Sequence, residues 1–187
     1  AFEEFSESIN ECLKTEKEKY KFAIVMCDVN NLKVINDTRG HSFGDEMLQR
    51  ASLMIRDVFN HCSVYRIGGD EFAVVLAGAD YEKRHQLIKQ LRDESAENGK
   101  LRSGPEVACG LSEFDPQNDT SFTEVFKRAD RDRYENKNKI KSRKLVEQFR
   151  KMDELNEPIP AEKKRRLDCL FDALYTVSDK GYVYLNN

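Results

Sequence analysis

Apolar positions recur with a helical period at the start of the chain. Phe2, Phe5, Ile9 and Leu13 share one face of residues 2–18, with charges opposite. Residues 22–27 then run apolar without a break, at strand length. Residues 30–38 carry a short helix stopped by Gly40. Ser42 opens a longer helix, with Leu48, Ala51, Ile55, Val58 and Phe59 at core spacing. Residues 64–67 and 72–76 read as strands joined through Gly68-Gly69, a hairpin signal because glycine accepts the positive φ of a tight primed turn. Residues 81–98 are helical again, with Leu87, Ile88 and Leu91 facing inward. A short strand at 107–111 and a helix at 122–139 complete the pattern. The order α-β-α-α-β-β-α-β-α predicts an α+β fold, a sheet with helices on its faces.

From about Ile140 the character changes. Residues 141–157 form a charged helical stretch ended by Pro158 and Pro160. A second short helix follows over 161–174, with the basic run Lys163-Lys164-Arg165-Arg166. Tyr175-Thr176-Val177, the turn Asp179-Lys180-Gly181 and Tyr182-Val183-Tyr184-Leu185 then suggest a hairpin. Two readings fit this tail. It faintly resembles the opening of a PAS-type sensor domain, and it equally suits a helix and strand that pack on the preceding domain. The expected organisation is a domain over 1–143, a helical linker over 144–160 and a C-terminal segment over 161–187.

Composition narrows the class. The 187 residues suffice for one domain of usual size plus a remainder. With 35% charged and 39% apolar residues the chain reads as an ordinary soluble protein. Its net charge of −3 supplies no global basic field, so neither nucleic acid nor an anionic lipid surface is an expected partner. No apolar run approaches a membrane span and no signal peptide is visible, so this segment is expected to touch no membrane. The five cysteines (Cys12, Cys27, Cys62, Cys109 and Cys169) contain no C-x-x-C pair. They read as small buried hydrophobes of a reducing cytosol. The expected location is cytoplasmic, in a parent protein that could itself be membrane-anchored.

Chemistry concentrates in Arg66-Ile67-Gly68-Gly69-Asp70-Glu71-Phe72. Two consecutive carboxylates at a hairpin tip are poor for folding and good for binding a divalent metal. Asp28 ends the buried strand over 22–27, and hairpin strands beside it would bring Asp28, Asp70 and Glu71 together. Converging carboxylates repel unless a cation intervenes, and all-oxygen ligands suit Mg²⁺ or Mn²⁺, which also take nucleotide phosphates.

The same heptapeptide contains the signature of the GGDEF family, which the chain resembles in three ordered blocks. Asp28-Val29-Asn30-Asn31-Leu32-Lys33-Val34-Ile35-Asn36-Asp37 with Gly40-His41 and Gly44-Asp45 resembles the family's first block. Ala129-Asp130, Tyr134 and Lys137 resemble its last. The resemblance implies a palm-like nucleotidyl cyclase fold, with a mostly antiparallel central sheet flanked by helices. It also implies a diguanylate cyclase, which condenses two GTP into cyclic di-GMP and two pyrophosphates as a homodimer. Carried over residue by residue, it implies Asp28, the Val29 carbonyl, Asp70 and Glu71 as metal ligands for Mg²⁺ or Mn²⁺. Asp70, Glu71 and Lys33 become the catalytic set, with Asp70 as base for the attacking 3′-hydroxyl. Substrate contacts fall to Asn31, Leu32, Lys33, Asn36, Asp45, Gly68, Gly69, Lys137 and Lys141. Within that set Asn36 and Asp45 take guanine, the N–H groups of Asn31 and Leu32 take phosphate, and Lys137 and Lys141 take the γ-phosphate.

One carboxylate can accept both adjacent guanine donors, N1–H and N2–H₂, whereas adenine lacks that pair. Ser42-x-x-Asp45 also spells a helix capping box, with Ser42 as N-cap, so Asp45 carries both readings. Three departures stand out. Lys141 replaces the family's arginine, a point charge in place of a fork. Phe59 and Cys62 occupy the positions of the Arg-x-x-Asp inhibitory site, so product inhibition there is expected to be absent. The family's D-x-L-T-G-L-x-N-R block is missing before Ala1, so the chain is expected to be an excised piece of a longer protein with sensory domains. The alternative to an active cyclase is a catalytically silent GGDEF module that binds GTP and regulates its neighbours. His41 is expected to cap the turn after Gly40, and the run 131–137 to form a solvated helix face around Lys137.

Overall fold

A computed structural model of the chain describes residues 2–154, 160–166 and 169. Its elements run α1 (Phe2–Glu16), a short 3₁₀ turn (Lys17–Lys19), β1 (Phe22–Val29), α2 (Leu32–Arg39), α3 (His41–Val58), β2 (Val64–Arg66) and β3 (Glu71–Ala77). They continue with α4 (Gly78–Glu82), α5 (Arg84–Leu101), β4 (Val107–Glu113) and α6 (Phe122–Glu154). The four strands form one antiparallel sheet in the order β2-β3-β1-β4. The expected α+β architecture, a mostly antiparallel sheet flanked by helices, is therefore what the chain forms.

β1 is the central strand, and this explains its unbroken apolar run: both of its faces are covered and all eight residues are buried. Successive side chains alternate between faces. Ala23, Val25, Cys27 and Val29 join a core with Leu48, Ala51, Ile55 and Val58 of α3 and Ile88 and Leu91 of α5. Phe22, Ile24 and Met26 join a second core with Leu13 of α1 and Phe122, Val125 and Ala129 of α6. Phe2, Phe5 and Ile9 pack on this second core, as their spacing predicts.

The outer edge of β4 is sealed by side chains instead of a further strand. Val107 N–H donates to Ser95 Oγ (2.7 Å), Cys109 N–H to Asn136 Oδ1 (3.0 Å) and Leu111 N–H to Asp132 Oδ2 (2.8 Å). Three alternate N–H groups along the strand, at 107, 109 and 111, thus find partners on α5 or α6, which covers most of the exposed ladder that invites edge-to-edge pairing. Gly110 lets α6 come this close: a Cβ there would sit 2.0 Å from the Arg133 nitrogen.

Three local expectations are corrected. The helix predicted over 81–98 is two: α4 begins earlier, at Gly78 (φ 55°) directly after β3, and Lys83 (φ −97°, ψ 6°) leaves the helical conformation between α4 and α5. The helices predicted over 122–139 and 141–157 are one, since no glycine or proline interrupts Phe122–Glu154. The Gly68-Gly69 hairpin is not a primed turn. Neither glycine has a positive φ, and residues 68–70 bend around Ile67 N–H and Gly68 N–H, both donating to the Glu71 carbonyl (3.0 and 3.4 Å). What Gly68 supplies is room: a Cβ would lie 2.9 Å from Glu71 Oε2.

The chain divides into two compact units, residues 1–137 and 138–187, with α6 continuing from the first into the second. In the second unit residues 161–166 are helical, and Arg166 pairs with Glu162 at 3.6 Å. The hairpin expected over 175–185 lies outside the described residues. No helix among the described residues is long and apolar enough to cross a membrane.

Candidate active site

The C-terminal end of β1 is pinned from both sides. Val29 N–H donates to the Asp70 carbonyl at 3.0 Å, and Asn30 N–H to the Glu106 carbonyl at 2.8 Å. The first bond ties β1 to the hairpin tip and the second to the segment entering β4. Asp28 and Glu71 are direct cross-strand partners, so the two carboxylates share a face of the sheet. The sequence thus brings Asp28, Val29, Asp70 and Glu71 to one end of the sheet, as expected.

Asp28 is 4% exposed and faces α6. Its Oδ2 accepts from Arg133 Nη1 at 3.0 Å and its Oδ1 from Lys137 Nζ at 2.5 Å. Arg133 also donates to Asp130 Oδ1 through Nε (2.8 Å), and its Nη2 lies 2.6 Å from the same oxygen and 4.0 Å from Glu71 Oε1. The run 131–137 is therefore not a solvated face throughout, because Arg133 is buried. Asp130, Arg133 and Lys137 stand three and four residues apart, one face of a helix, and that spacing was the available signal for the cluster.

Asp70 differs from Asp28. It is half-buried in the bend before β3, and among the described residues no hydrogen bond or ion pair reaches its carboxylate. Arg66 steadies the bend, donating to the Gly69 carbonyl (2.7 Å) and to the Gly68 carbonyl (3.3 Å). No residue spacing advertised that contact. The oxygen donors of Asp28, Asp70 and Glu71 are of the kind that Mg²⁺ or Mn²⁺ takes. Asp70 precedes Glu71 at the same end of the sheet, its carbonyl bonded to Val29 N–H, so three acids of the right chemistry for such an ion belong to this one end. Among the described residues no three acidic, histidine or cysteine side chains already close around one point.

After β1 the chain enters α2 through Asn31, which adopts the left-handed conformation (φ 62°) and makes no side-chain cap. Asparagine tolerates that region better than most residues. The first N–H groups of α2, from Leu32 onward, thus open the helix without a capping side chain, with Lys33 exposed beside them. Such a helix start favours an anion.

The packing of α2 on α3 sets Asn36 against Gly44, the residue before Asp45. Gly44 lies against the Asn36 amide so tightly that a Cβ would fall 1.8 Å from Oδ1. Asn36 Oδ1 is buried with no hydrogen-bond partner. Ser42 does not cap α3. The helix starts at His41 with Gly40 as N-cap (φ 85°) and no side-chain cap, so neither the Ser42–Asp45 box nor a cap by His41 forms. Asp45 is exposed, and among the described residues no hydrogen bond or ion pair reaches its carboxylate.

Lys141 is exposed, on the part of α6 that belongs to the second unit. Phe59 is core. Cys62 donates to Asp80 Oδ2 (3.1 Å), and burial together with that carboxylate pushes its thiol up to about 12. His61 and His85 are exposed, as expected, each beside a carboxylate: Asp80 at 3.4 Å and Glu113 at 3.1 Å. Cys27 and Cys109 are buried, whereas Cys12 and Cys62 are half-buried and Cys169 is exposed, so only part of the expected burial of cysteines holds.

A family model described as "Diguanylate cyclase, GGDEF domain" matches residues 3–143. Among solved structures, the active GGEEF domain of a diguanylate cyclase from Vibrio cholerae is similar. It is 25% identical with a TM-score of 0.59, over 70% of this chain and 85% of that one. The GGDEF domain of DgcB from Caulobacter crescentus shares the fold at 23% identity and TM-score 0.58, over 72% and 82% of the two chains. An uncharacterized membrane protein of Staphylococcus aureus strain USA300 is 29% identical over 134 residues, 68% of this chain and 38% of its own length. The chain spans well under half the length of the curated relatives it matches.

Proposed function

The chain belongs to the GGDEF family of diguanylate cyclase domains, and from that premise we propose that it condenses two GTP into cyclic di-GMP. The observation that carries the reading is Asp70: its carboxylate has no protein partner among the described residues, and it stands at the hairpin tip directly before Glu71, the cross-strand partner of Asp28. In each of two condensations a 3′-hydroxyl oxygen attacks an α-phosphorus, the bond to the β-phosphate oxygen breaks and pyrophosphate leaves. Asp70 accepts the hydroxyl proton.

The other residues orient the substrate. The start of α2 at Asn31 and Leu32, with Lys33, holds phosphate oxygens. Asn36 offers its side-chain amide to guanine once its Oδ1, buried against Gly44 without a partner, is turned outward. Asp45 takes the remaining guanine donors. Gly68 and Gly69 keep the tip bare of side chains, and Lys137 is within reach of phosphate if it leaves Asp28. Asp28, the Val29 carbonyl, Asp70 and Glu71 would hold Mg²⁺ or Mn²⁺. Such ions, when bound, neutralise triphosphate charge and make the 3′-hydroxyl easier to deprotonate. One chain supplies one such site, so the reaction calls for a homodimer with two GTP face to face.

A second reading has one observation in its favour. Both oxygens of Asp28 are held by cations, which suits a silent module that binds GTP and regulates neighbouring domains. Products separated by chromatography after incubation with GTP and Mg²⁺ test the proposal. Cyclic di-GMP and pyrophosphate in a one-to-two ratio, with ATP inert, support it. GTP bound but unconverted at high protein concentration supports the silent module.

A further inference from the structure

No step of the condensation uses Arg133, yet it is the most deeply placed guanidinium of the site. Burying an arginine is costly unless each donor finds an acceptor in good geometry. Arg133 is set among acids: Nη1 donates to Asp28 Oδ2, Nε donates to Asp130 Oδ1, and Nη2 lies 2.6 Å from Asp130 Oδ1 and 4.0 Å from Glu71 Oε1. Its side chain is 10% exposed. Lys137, the other cation on Asp28, is 23% exposed, makes one contact and ends a flexible stem. The two oxygens of Asp28 are thus unequal. Oδ2 is committed to a fixed guanidinium, and Oδ1 is held by a cation that can leave.

We propose that Arg133 is a positioning residue that acts as a resident cation. It orients Asp28 and sets its charge so that the site rejects free divalent metal and admits it only with a triphosphate. The inference rests on the assignment of Asp28 as a metal-holding acid. A dication approaching Asp28 alone meets two positive charges and a carboxylate with no free oxygen. A triphosphate changes this balance, because its negative charge draws Lys137 from Oδ1 and outweighs Arg133. The opened Oδ1, Asp70 and Glu71 are then the available acidic ligands, while Arg133 stays on Oδ2. Metal and nucleotide therefore bind together, and the site stays charge-balanced between turnovers.

The test is Mn²⁺ binding in the absence of nucleotide, followed by the paramagnetic resonance signal of the free ion. The whole chain is used, and near-ultraviolet circular dichroism checks that each variant is folded. Arg133→Met is expected to bind Mn²⁺ at least tenfold more tightly than the parent. Adding Asp28→Asn to that variant is expected to return the affinity to the parent's weak level. Arg133→Lys, too short to span Asp28 and Asp130 together, is expected to fall between and covers the case in which the methionine variant does not fold. A folded Arg133→Met or Arg133→Lys variant that binds Mn²⁺ no more tightly than the parent overturns the inference. So does a gain that survives Asp28→Asn. None of these readouts requires turnover, so a chain that makes no cyclic di-GMP yet shows the gain would remove the cyclase reading and leave this one standing.

Discussion

At the scale of single residues, close approach decides more than side-chain chemistry does. At Gly110 a Cβ would lie 2.0 Å from the Arg133 nitrogen and 2.4 Å from the Ala129 carbonyl oxygen, both backbone atoms that cannot give way without moving α6. Gly110→Ala should therefore cost about 3 kcal/mol or more, read as a lowered urea midpoint. A midpoint within a few tenths of a molar of the parent would mean that α6 is not seated on β4 as described. The cysteines give a second expectation. Burial raises the thiols of Cys27 and Cys109, the latter to about 11, and Cys62 stands at about 12. At pH 8 alkylation followed by mass spectrometry should label exposed Cys169 first and leave those three nearly untouched until the chain unfolds. The signature acids were legible in the sequence because Gly68-Gly69-Asp70-Glu71-Phe72 is dense in unusual residues. Arg133 was not, because a charged helical run reads as solvated unless its three- and four-residue spacing is set against a buried acid elsewhere.

At the scale of elements, periodicity gave the helical faces and most strands, and failed where tertiary contacts set the boundary. The period of α1, α3 and α5 marked Leu13, Leu48, Ala51, Ile55 and Leu91, all of which are buried. It could not show that α6 continues past residue 139, since an unbroken helix and two abutting ones have the same local composition. Nor could it show that the second glycine of the hairpin lacks positive φ, because the bend is set by Arg66 and Glu71 and not by dihedral freedom alone. The sealed edge of β4 is likewise a tertiary property. Asn136→Ala leaves the Cys109 N–H without its partner and Ser95→Ala does the same for Val107. Each should cost about 1–3 kcal/mol in denaturant unfolding. Hydrogen exchange should quicken at the orphaned amide, and unchanged protection there would contradict the described edge.

At the scale of the whole molecule, the strand order β2-β3-β1-β4 puts the chemistry where it is. Inserting β1 between β3 and β4 brings residue 28 against residue 71 and residue 29 against residue 107, pairings of long sequence separation. The apolar run of β1 announced a central strand but not its neighbours, because register is settled by contacts far apart in sequence. Stability should fall in acid for a stated reason. Hydrogen bonds hold four carboxylates below their ordinary values: Arg84 acts on Glu113, Lys21 on Glu82, Asn118 on Asp115 and the Thr120 N–H on Glu124. Groups whose folded values are depressed stabilise the fold above their unfolded values and lose that contribution as pH falls through the folded ones. The urea midpoint should thus be flat near neutrality and drop below pH about 4. A midpoint that rises over that interval would contradict the pairings.

The proposed condensation depends on Asp70, whose carboxylate has no partner among the described residues, and the most direct measurement sets the parent chain beside Asp70→Asn. Both are incubated with GTP and Mg²⁺ at high protein concentration, with cyclic di-GMP formation and GTP binding followed in parallel. Product is expected from the parent and at least about a hundredfold less from the variant, at the scale of a lost catalytic acid–base group, with GTP still bound by both. Equal product from the two would contradict the role of Asp70, and no product from a parent that binds GTP would contradict the cyclase itself.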